Sequence, residues 1–172
     1  MTGVLADAPS YQAFLKEVAQ SGANIEIIDS PRKINLDDEV LFDIFFPDQN
    51  FANQSVESTN NTSITGKIIY QETSLMLTGD LEIEEELVKS GLNLKSDIYH
   101  VGHHGSNNAN DFGFMSAVDP QYAIISVGAN NRYGHPQYRT LKNLEKLGLD
   151  ILRTDQGGDI IFKSNGQEWL EL

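Results

Sequence analysis

The sequence of 172 residues contains no cysteine, so it forms neither disulfide bonds nor thiolate metal ligands. It has no apolar run close to the roughly 18 residues that a membrane-spanning helix needs. Residues 1–10 include no basic residue and no long apolar core, and we therefore expect them not to be a signal peptide. With 40% hydrophobic and 22% charged residues, the composition is typical of a globular protein, and the length predicts a single domain over residues 1–172.

Basic residues are scarce in this chain. Only 12 Lys and Arg stand against 25 Asp and Glu, which gives a formal net charge of −13. Affinity for nucleic acid comes largely from Lys and Arg that neutralise phosphates, so the composition argues against a protein that coats DNA or RNA. A bound metal cation can dominate its local field, and the charge therefore does not exclude a phosphate-ester substrate held at a metal.

Helix and strand patterns alternate along the chain, which predicts a layered α/β fold. Apolar residues spaced by three and four predict helices at residues 9–19, 81–89, 112–118 and 140–147. Short apolar or β-branched runs predict strands at 25–28, 36–46, 63–70, 74–77, 98–101, 122–127, 151–153, 160–163 and 168–172. The polar runs 49–61 and 128–136 predict loops.

The triplet Thr78-Gly79-Asp80 directly follows the predicted strand 74–77. A carboxylate after a buried strand, with a glycine that permits a sharp turn, is a way to present a ligand from a rigid edge. The same aspartate also precedes the predicted helix 81–89, where it would cap the helix amino-terminus. On the triplet alone the capping role is favoured, and a ligand role stays open.

Adjacent histidines in Gly102-His103-His104-Gly105 come after the predicted strand 98–101. Imidazole is a ligand for Zn, Mn or Fe, and a carboxylate can bridge two such ions. The alternative is a surface loop with incidental histidines, and the pattern leaves the two interpretations even. His100 lies inside the strand pattern, which favours a packed histidine there.

The loop Asn131-Arg132-Tyr133-Gly134-His135-Pro136 follows another apolar strand and offers a guanidinium for an oxyanion and an imidazole that can donate a proton. A structural turn leading to the next helix is the alternative interpretation. A two-metal site needs about three protein ligands per ion. The chain supplies one persuasive carboxylate and two persuasive histidines, and it contains no His-x-His pattern, so the sequence provides half of a metal site.

Four segments, taken in order, resemble the successive motifs of the metallo-β-lactamase domain of ComEC/Rec2 competence proteins. They are Asn60-Asn61-Thr62-Ser63, Leu77-Thr78-Gly79-Asp80, Val101-Gly102-His103-His104-Gly105-Ser106 and the run 124–136 that ends in Gly134-His135-Pro136. The segments 152–155 and 157–160 are similar too, and the resemblance covers about residues 9–172. It implies an αββα sandwich whose sheets meet over a hydrolytic site for two Zn or Mn ions.

The resemblance also implies roles for individual residues. Asp80 would bridge the two ions, and one of His103 and His104, with His103 favoured, would be a terminal ligand of the second ion. Asn61 would lie near the position where related enzymes carry a further histidine ligand. The remaining three would face or support the substrate: Arg132 as a phosphate contact, His135 as a proton donor to the leaving group, and Ser106 as a support behind the ligands.

One departure from the family is large. Members of the superfamily carry an upstream His-x-His-x-Asp-His motif, which this chain does not contain, so we expect Met1 to be an internal methionine and the fold to be N-terminally incomplete. The expected function is metal-dependent hydrolysis, of phosphodiesters and plausibly of DNA during uptake, with weak or partial metal binding by this chain. The alternative is a catalytically inactive binding or structural module of the same fold.

The same reasoning extends to partners and location. We expect a phosphate-ester or nucleic-acid substrate and no membrane segment in this chain. Strand edges left exposed by an incomplete sheet would favour self-association. The resemblance implies a soluble bacterial domain, with the cytoplasmic and extracytoplasmic sides both left open.

Overall fold

The computed structural model describes residues 1–4 and 8–172 and contains one large mixed β-sheet with helices packed against it. Seven strands form this sheet, and they lie side by side in the order in which they occur along the chain. They are β1 (Arg32–Asn35), β2 (Val40–Phe46), β3 (Thr65–Tyr70), β4 (Thr73–Leu77), β5 (Ile98–His100), β6 (Tyr122–Ile125) and β7 (Asp150–Arg153). Two short strands, β8 (Phe162–Ser164) and β9 (Trp169–Glu171), pair separately. The predicted α/β class is confirmed.

Helices connect or precede the strands: α1 (Pro9–Ser21), α2 (Glu84–Lys89), α3 (Phe112–Val118), α4 (Tyr138–Lys146) and α5 (Thr154–Gly157). The helix α1 starts on a proline, whose fixed φ and missing N–H suit the first helical position, and it ends at Gly22 with a left-handed φ of 73°. Helix α3 is capped by Asp111, whose carboxylate accepts a hydrogen bond from the Phe114 N–H. Among residues 1–4 and 8–172, no helix has both the length and the apolar character needed to cross a membrane.

The direction of the strands changes within the sheet. Strands β1 to β4 pair antiparallel, with a two-residue turn, Gln71-Glu72, between β3 and β4. Strands β4, β5, β6 and β7 pair parallel. Parallel strands end at the same edge of a sheet, so the segments that follow β4, β5 and β6 meet there.

The main core lies on one face of this sheet, under the helices. Met76, Tyr99 and Ala123 occupy matching positions on β4, β5 and β6 and are fully buried. Helices α2, α3 and α4 cover them with a shared set of apolar side chains, namely Leu87, Phe114, Met115, Val118 and Leu144. This packing fixes the helices, and with them the loops that connect the helices to the strand ends.

Two predicted strands differ from the structure. Residues 25–28 do not form a strand; within residues 1–4 and 8–172, their backbone hydrogen bonds to Met1 run from Ile28 N and to Glu26 O. The predicted strand 36–46 begins only at residue 40, because residues 36–39 form the turn between β1 and β2 and close it with a 2.8 Å bond from Leu36 N to Val40 O. Its acidic residues favour a turn over an edge strand.

Candidate functional site

Three loops bring their polar side chains together at the carboxyl edge of the parallel strands. The loop after β4 contributes Asp80, the loop after β5 contributes His103 and His104, and the loop after β6 contributes Tyr133 and His135. These five side chains line a cleft of about 250 Å³. The convergence that the strand-end motifs predicted is present in the structure, and we call this cleft the histidine cleft.

The turn that carries Asp80 is shaped by a glycine and held by a hydrogen bond to Ser63. Gly79 has a left-handed φ of 56°, and the N–H of Asp80 donates to the hydroxyl of Ser63 at 3.2 Å. Helix α2 begins only at Glu84, with Ile83 as its N-cap residue. The interpretation of Asp80 as a helix cap is therefore wrong, because three residues separate it from the helix, and its carboxylate is left to line the cleft.

The double-histidine turn has an unusual backbone. His103 and His104 both have left-handed φ angles, 47° and 53°, which for a non-glycine residue costs on the order of 1–3 kcal/mol each. The N–H of His103 donates to the carbonyl of Gly79 at 2.9 Å, which ties this turn to the Asp80 turn. Strain of this kind persists only where the surroundings enforce it, and it fixes the two imidazoles relative to Asp80.

The protonation site of His104 follows from its partner. Its Nδ1 lies 2.8 Å from the backbone carbonyl oxygen of Ser126. A carbonyl oxygen only accepts hydrogen bonds, so Nδ1 carries a proton, and in the neutral ring the lone pair is on Nε2. An imidazole whose far nitrogen donates to a carbonyl is the usual arrangement of a metal-ligating histidine.

A carboxylate that the sequence did not single out lies beside His103. The Nδ1 of His103 is buried without a hydrogen-bond partner and lies 3.5 Å from an oxygen of Glu82. The N–H of Glu82 donates to the side-chain oxygen of Asn61 at 3.0 Å. Asn61 thus lies behind the histidine cleft, and it lines a neighbouring cleft of about 680 Å³.

His135 is held by a side chain from its own loop. The amide nitrogen of Asn131 donates to the carbonyl of His135 at 2.7 Å, and the amide oxygen accepts from the N–H of His135 at 3.0 Å. The His135 ring stacks on Tyr133 at 5.8 Å and meets the His103 ring at 5.7 Å. Burial lowers the pKa of His135 below its ordinary 6.5, the nearby His103 and His104 lower it further, and Asp80 opposes them.

The remaining predicted residues lie around the cleft. Arg132 is exposed and donates to the hydroxyl of Tyr133 at 2.8 Å, so it lies beside the cleft wall. Ser106 is buried, and its hydroxyl accepts from the N–H of Asn108 at 3.2 Å. His100 is half-buried and its Nε2 lies 2.9 Å from the hydroxyl of Ser126, which agrees with the expectation of a packed histidine.

The side chains of the histidine cleft are of the types that bind zinc or manganese, but there are too few of them to complete a site. Imidazoles and a carboxylate are ligands that these ions accept. The Nδ1 atoms of His103 and His104 face Glu82 and the carbonyl of Ser126, which leaves Nε2 of each ring as the atom that would bind an ion. Within residues 1–4 and 8–172, however, no three His, Asp or Glu side chains are grouped so that they could hold one ion. The side chains described here do not by themselves complete a metal centre.

A fully buried polar network lies beneath both turns. The side chain of Glu84 is 1% exposed, its Oε2 accepts from the N–H of Asp111 at 2.9 Å, and its Oε1 lies 3.4 Å from the hydroxyl of Tyr99. That hydroxyl donates to Asn110 at 2.8 Å and accepts from the N–H of Gly102 at 3.2 Å. Burial raises the pKa of Glu84 to about 7, although the hydrogen bonds from Asp111 and its neighbour oppose this.

The raised pKa of Glu84 predicts a pH-dependent contribution to stability. In the unfolded chain this carboxyl ionises near 4.5, whereas in the folded protein it stays neutral up to about pH 7. Its contribution is therefore fully present below pH 4.5 and is lost as the pH rises through about 7. We expect wild type to lose stability relative to Glu84→Gln over this interval, measured by urea unfolding of both proteins at a series of pH values. A difference that stays constant with pH would contradict this assignment.

No protein-family model matches the sequence. The chain is 34% identical over 160 residues to ComE operon protein 3 of Bacillus subtilis, covering 90% of the chain and 20% of that protein. It is 39% identical over 106 residues to competence protein ComA of Neisseria gonorrhoeae, covering 60% of the chain and 15% of that protein. The chain thus spans a fifth or less of the length of these curated relatives.

Among solved structures, the chain is similar to a proposed metal-dependent hydrolase of Parabacteroides distasonis, with a TM-score of 0.49 and 9% sequence identity. The similarity covers 81% of this chain and 61% of that one.

Proposed function

Since this chain is a ComEC-like domain of the metallo-β-lactamase fold, we propose that it is part of a metal-dependent phosphodiesterase that acts on DNA during its uptake in competence. The observation that carries the proposal is the histidine cleft. Asp80, His103, His104 and His135 reach one cleft of about 250 Å³ from three separate strand ends. Bound cations at such a site would lower the pKa of a water molecule and stabilise charge on the scissile phosphate.

The residues of the chain have separate roles in this proposal. Asp80 and His104 would be metal donors, His104 through the Nε2 that the carbonyl of Ser126 leaves unprotonated. His103 would be a further donor, with Glu82 beside its Nδ1. Each of the two histidines would then face an acceptor oxygen with Nδ1, on the side away from an ion at Nε2, which is how proteins orient imidazole ligands.

Two more residues would act on the substrate. The lowered pKa of His135 favours its neutral imidazole, which would take a proton from the attacking water and then give it to the leaving oxygen. The exposed guanidinium of Arg132, fixed beside Tyr133, would bind a phosphate oxygen. Ser106, buried in the double-histidine turn, would support the turn without touching the substrate.

A hydrolysis assay with matched variants tests the proposal. The chain alone should bind Zn²⁺ or Mn²⁺ weakly and turn over little, because its donor set is incomplete. When the domain replaces its counterpart within ComE operon protein 3, we expect metal-dependent hydrolysis of bis(p-nitrophenyl) phosphate and of DNA. Asp80→Asn and His104→Gln should each reduce this activity by about 100-fold or more, since losing even an outer partner of a metal ligand costs about 10–100-fold.

His100→Gln is the matched control, since His100 contacts Ser126 and is not among the residues that line the histidine cleft. It should stay within a few-fold of the parent activity. A metal-loaded protein that is inert on every phosphodiester would refute the proposal.

The incomplete donor set also supports a second candidate function. A catalytically inactive binding or structural module of the same fold would keep the turns and need no metal centre. Metal analysis of the domain placed within ComE operon protein 3 distinguishes the two: stoichiometric, tight zinc or manganese that is lost in Asp80→Asn would exclude the inactive module. ComE operon protein 3 that carries the domain with Asp80 and His104 replaced would then be tested for DNA binding and for DNA uptake. The module hypothesis expects both to stay unchanged, whereas the hydrolase hypothesis expects uptake to be lost.

A further inference from the structure

Glu84 lies beneath the histidine cleft, where the described side chains satisfy one another and face no solvent. The three polar side chains of this network, Glu84, Tyr99 and Asn110, are each 3% exposed or less. Polar groups are buried so completely only where hydrogen bonds compensate for the lost water, so each proton in the network can be assigned to a donor.

The orientation of Asn110 is fixed by two carbonyls. Its amide nitrogen donates to the backbone oxygens of Gly102 and Ser106, both at 2.9 Å. Its amide oxygen therefore faces Tyr99, whose hydroxyl donates to it at 2.8 Å. A hydroxyl has one proton, and the proton of Tyr99 is used in this bond.

The protonation state of Glu84 then follows from which atoms already carry protons. Its Oε1 lies 3.4 Å from the oxygen of Tyr99, which has no further proton to give. An ionised carboxylate there would face a lone pair at 3.4 Å, whereas a neutral carboxyl would direct its own proton towards that oxygen. Its Oε2 meanwhile accepts from the N–H of Asp111. The neutral form gives both oxygens of Glu84 a neighbour of matching polarity, which agrees with the raised pKa.

The network ends on the backbone of the double-histidine turn. Gly102 donates its N–H to Tyr99 and accepts from Asn110 at its carbonyl, so both of its peptide groups are held. Its Cα also packs tightly, because an added Cβ would lie 2.7 Å from the hydroxyl of Thr78 and 3.2 Å from Oε1 of Glu84. The next two residues are the strained His103 and His104.

We propose that Glu84, acting as a neutral hydrogen-bond donor through Tyr99, is the positioning residue that holds His103 and His104 in their left-handed turn and so aims their imidazoles into the histidine cleft. The inference that this orientation of the imidazoles serves catalysis rests on the proposed function. The positioning itself does not, and it can be measured on metal-free protein.

Imidazole nitrogen NMR of histidine-labelled protein tests the proposal directly, because the chain has only four histidines. In wild type, His104 should show a single tautomer protonated on Nδ1. Glu84→Gln keeps a donor and an acceptor at the same places, and it should leave the His103 and His104 signals unchanged. Glu84→Leu removes both, and His104 should lose its single tautomer while the signals of His103 shift.

Two further variants separate positioning from general stability. Tyr99→Phe removes one hydroxyl, keeps the buried ring and should reproduce the loss seen in Glu84→Leu. Glu85→Leu is the matched control. Glu85 lies on the same helix and is exposed, and its carboxylate forms an ion pair with Lys89 at 3.3 Å. It should leave all four histidines unchanged.

The outcomes are decisive in both directions. If Glu84→Leu or Tyr99→Phe folds with unaltered His103 and His104 signals, Glu84 is a structural residue only and the proposal fails. A Glu84→Gln protein that loses the His104 tautomer would exclude the neutral donor. Because no metal or substrate is present, an inactive phosphodiesterase would leave these results intact, and a failed NMR test would leave the phosphodiesterase proposal standing.

Discussion

Gly105→Ala is expected to destabilise the protein by about 2–4 kcal/mol and to displace His135 from His103. The added Cβ would lie 2.6 Å from Cβ and 3.1 Å from Cα of Pro136, and the backbone cannot yield as a flexible side chain does. Overpacking of this kind costs about 1–3 kcal/mol, and the φ of 84° adds about 1 kcal/mol for a residue with a Cβ. Since Pro136 directly follows His135, relief of the clash moves that imidazole.

Gly134→Ala provides the matched control for this effect. Gly134 lies in the loop that carries His135 and Pro136, with a φ of 69°, and an added Cβ would meet nothing within 4 Å. Only the conformational penalty of about 1 kcal/mol should remain. Urea unfolding measures the free energy for both variants, and the ring contact between His103 and His135 is observable by NMR. Equal losses in the two variants would show that the contact with Pro136 is not what matters.

Phe114→Ala is expected to have the largest effect on stability, about 3–5 kcal/mol. Phe114 is fully buried, and its ring meets that of Tyr99 edge to face at 5.9 Å. It is also the link between helix α3 and strand β5, so its loss leaves a cavity beside the network of Glu84. Typical domains have only about 5–15 kcal/mol of stability, and the variant should be close to unfolding at room temperature in mild denaturant.

Phe112→Ala, two residues earlier on the same helix, is the control. Phe112 is 36% exposed, and the Lys146 ammonium lies 5.0 Å from its ring centre. An exposed contact of this kind contributes about 0.5–1 kcal/mol, so the loss should be several times smaller than for Phe114. Thermal and urea unfolding of both variants would check the ratio. A comparable loss of stability at Phe112 would show that α3 packs against the core through the side that carries Phe112, and would contradict the prediction.

Much of the site could be predicted because it depends on strand order. Polar residues after three apolar strands were expected to converge, since parallel strands end at one edge, and Asp80, His103, His104 and His135 do share a cleft. The strand at 25–28 was predicted wrongly for a related reason. A short apolar run has no alternation that would distinguish a sheet strand from a segment that makes a few backbone contacts.

Other errors came from boundaries. The predicted helix 81–89 starts three residues late in the structure, and that shift alone reverses the interpretation of Asp80 from a cap to a group that lines the cleft. A run of polar and acidic residues has little information about where the first helical hydrogen bond closes. Ser126, by contrast, follows the apolar strand β6 just as Asp80 follows β4, and the same rule would have found it.

By itself the sequence determined the α/β alternation, the set of strand-end loops and the kinds of donor they carry, because these depend on local periodicity and turn chemistry. Only the tertiary structure decided which partner each imidazole has and which acid is buried. Glu84, Glu85 and Glu86 are identical in sequence terms, yet only Glu84 is buried, at 1% exposure, because α2 packs that face against Tyr99. Burial of a single carboxyl is a property of the surrounding packing, and packing is non-local in the chain.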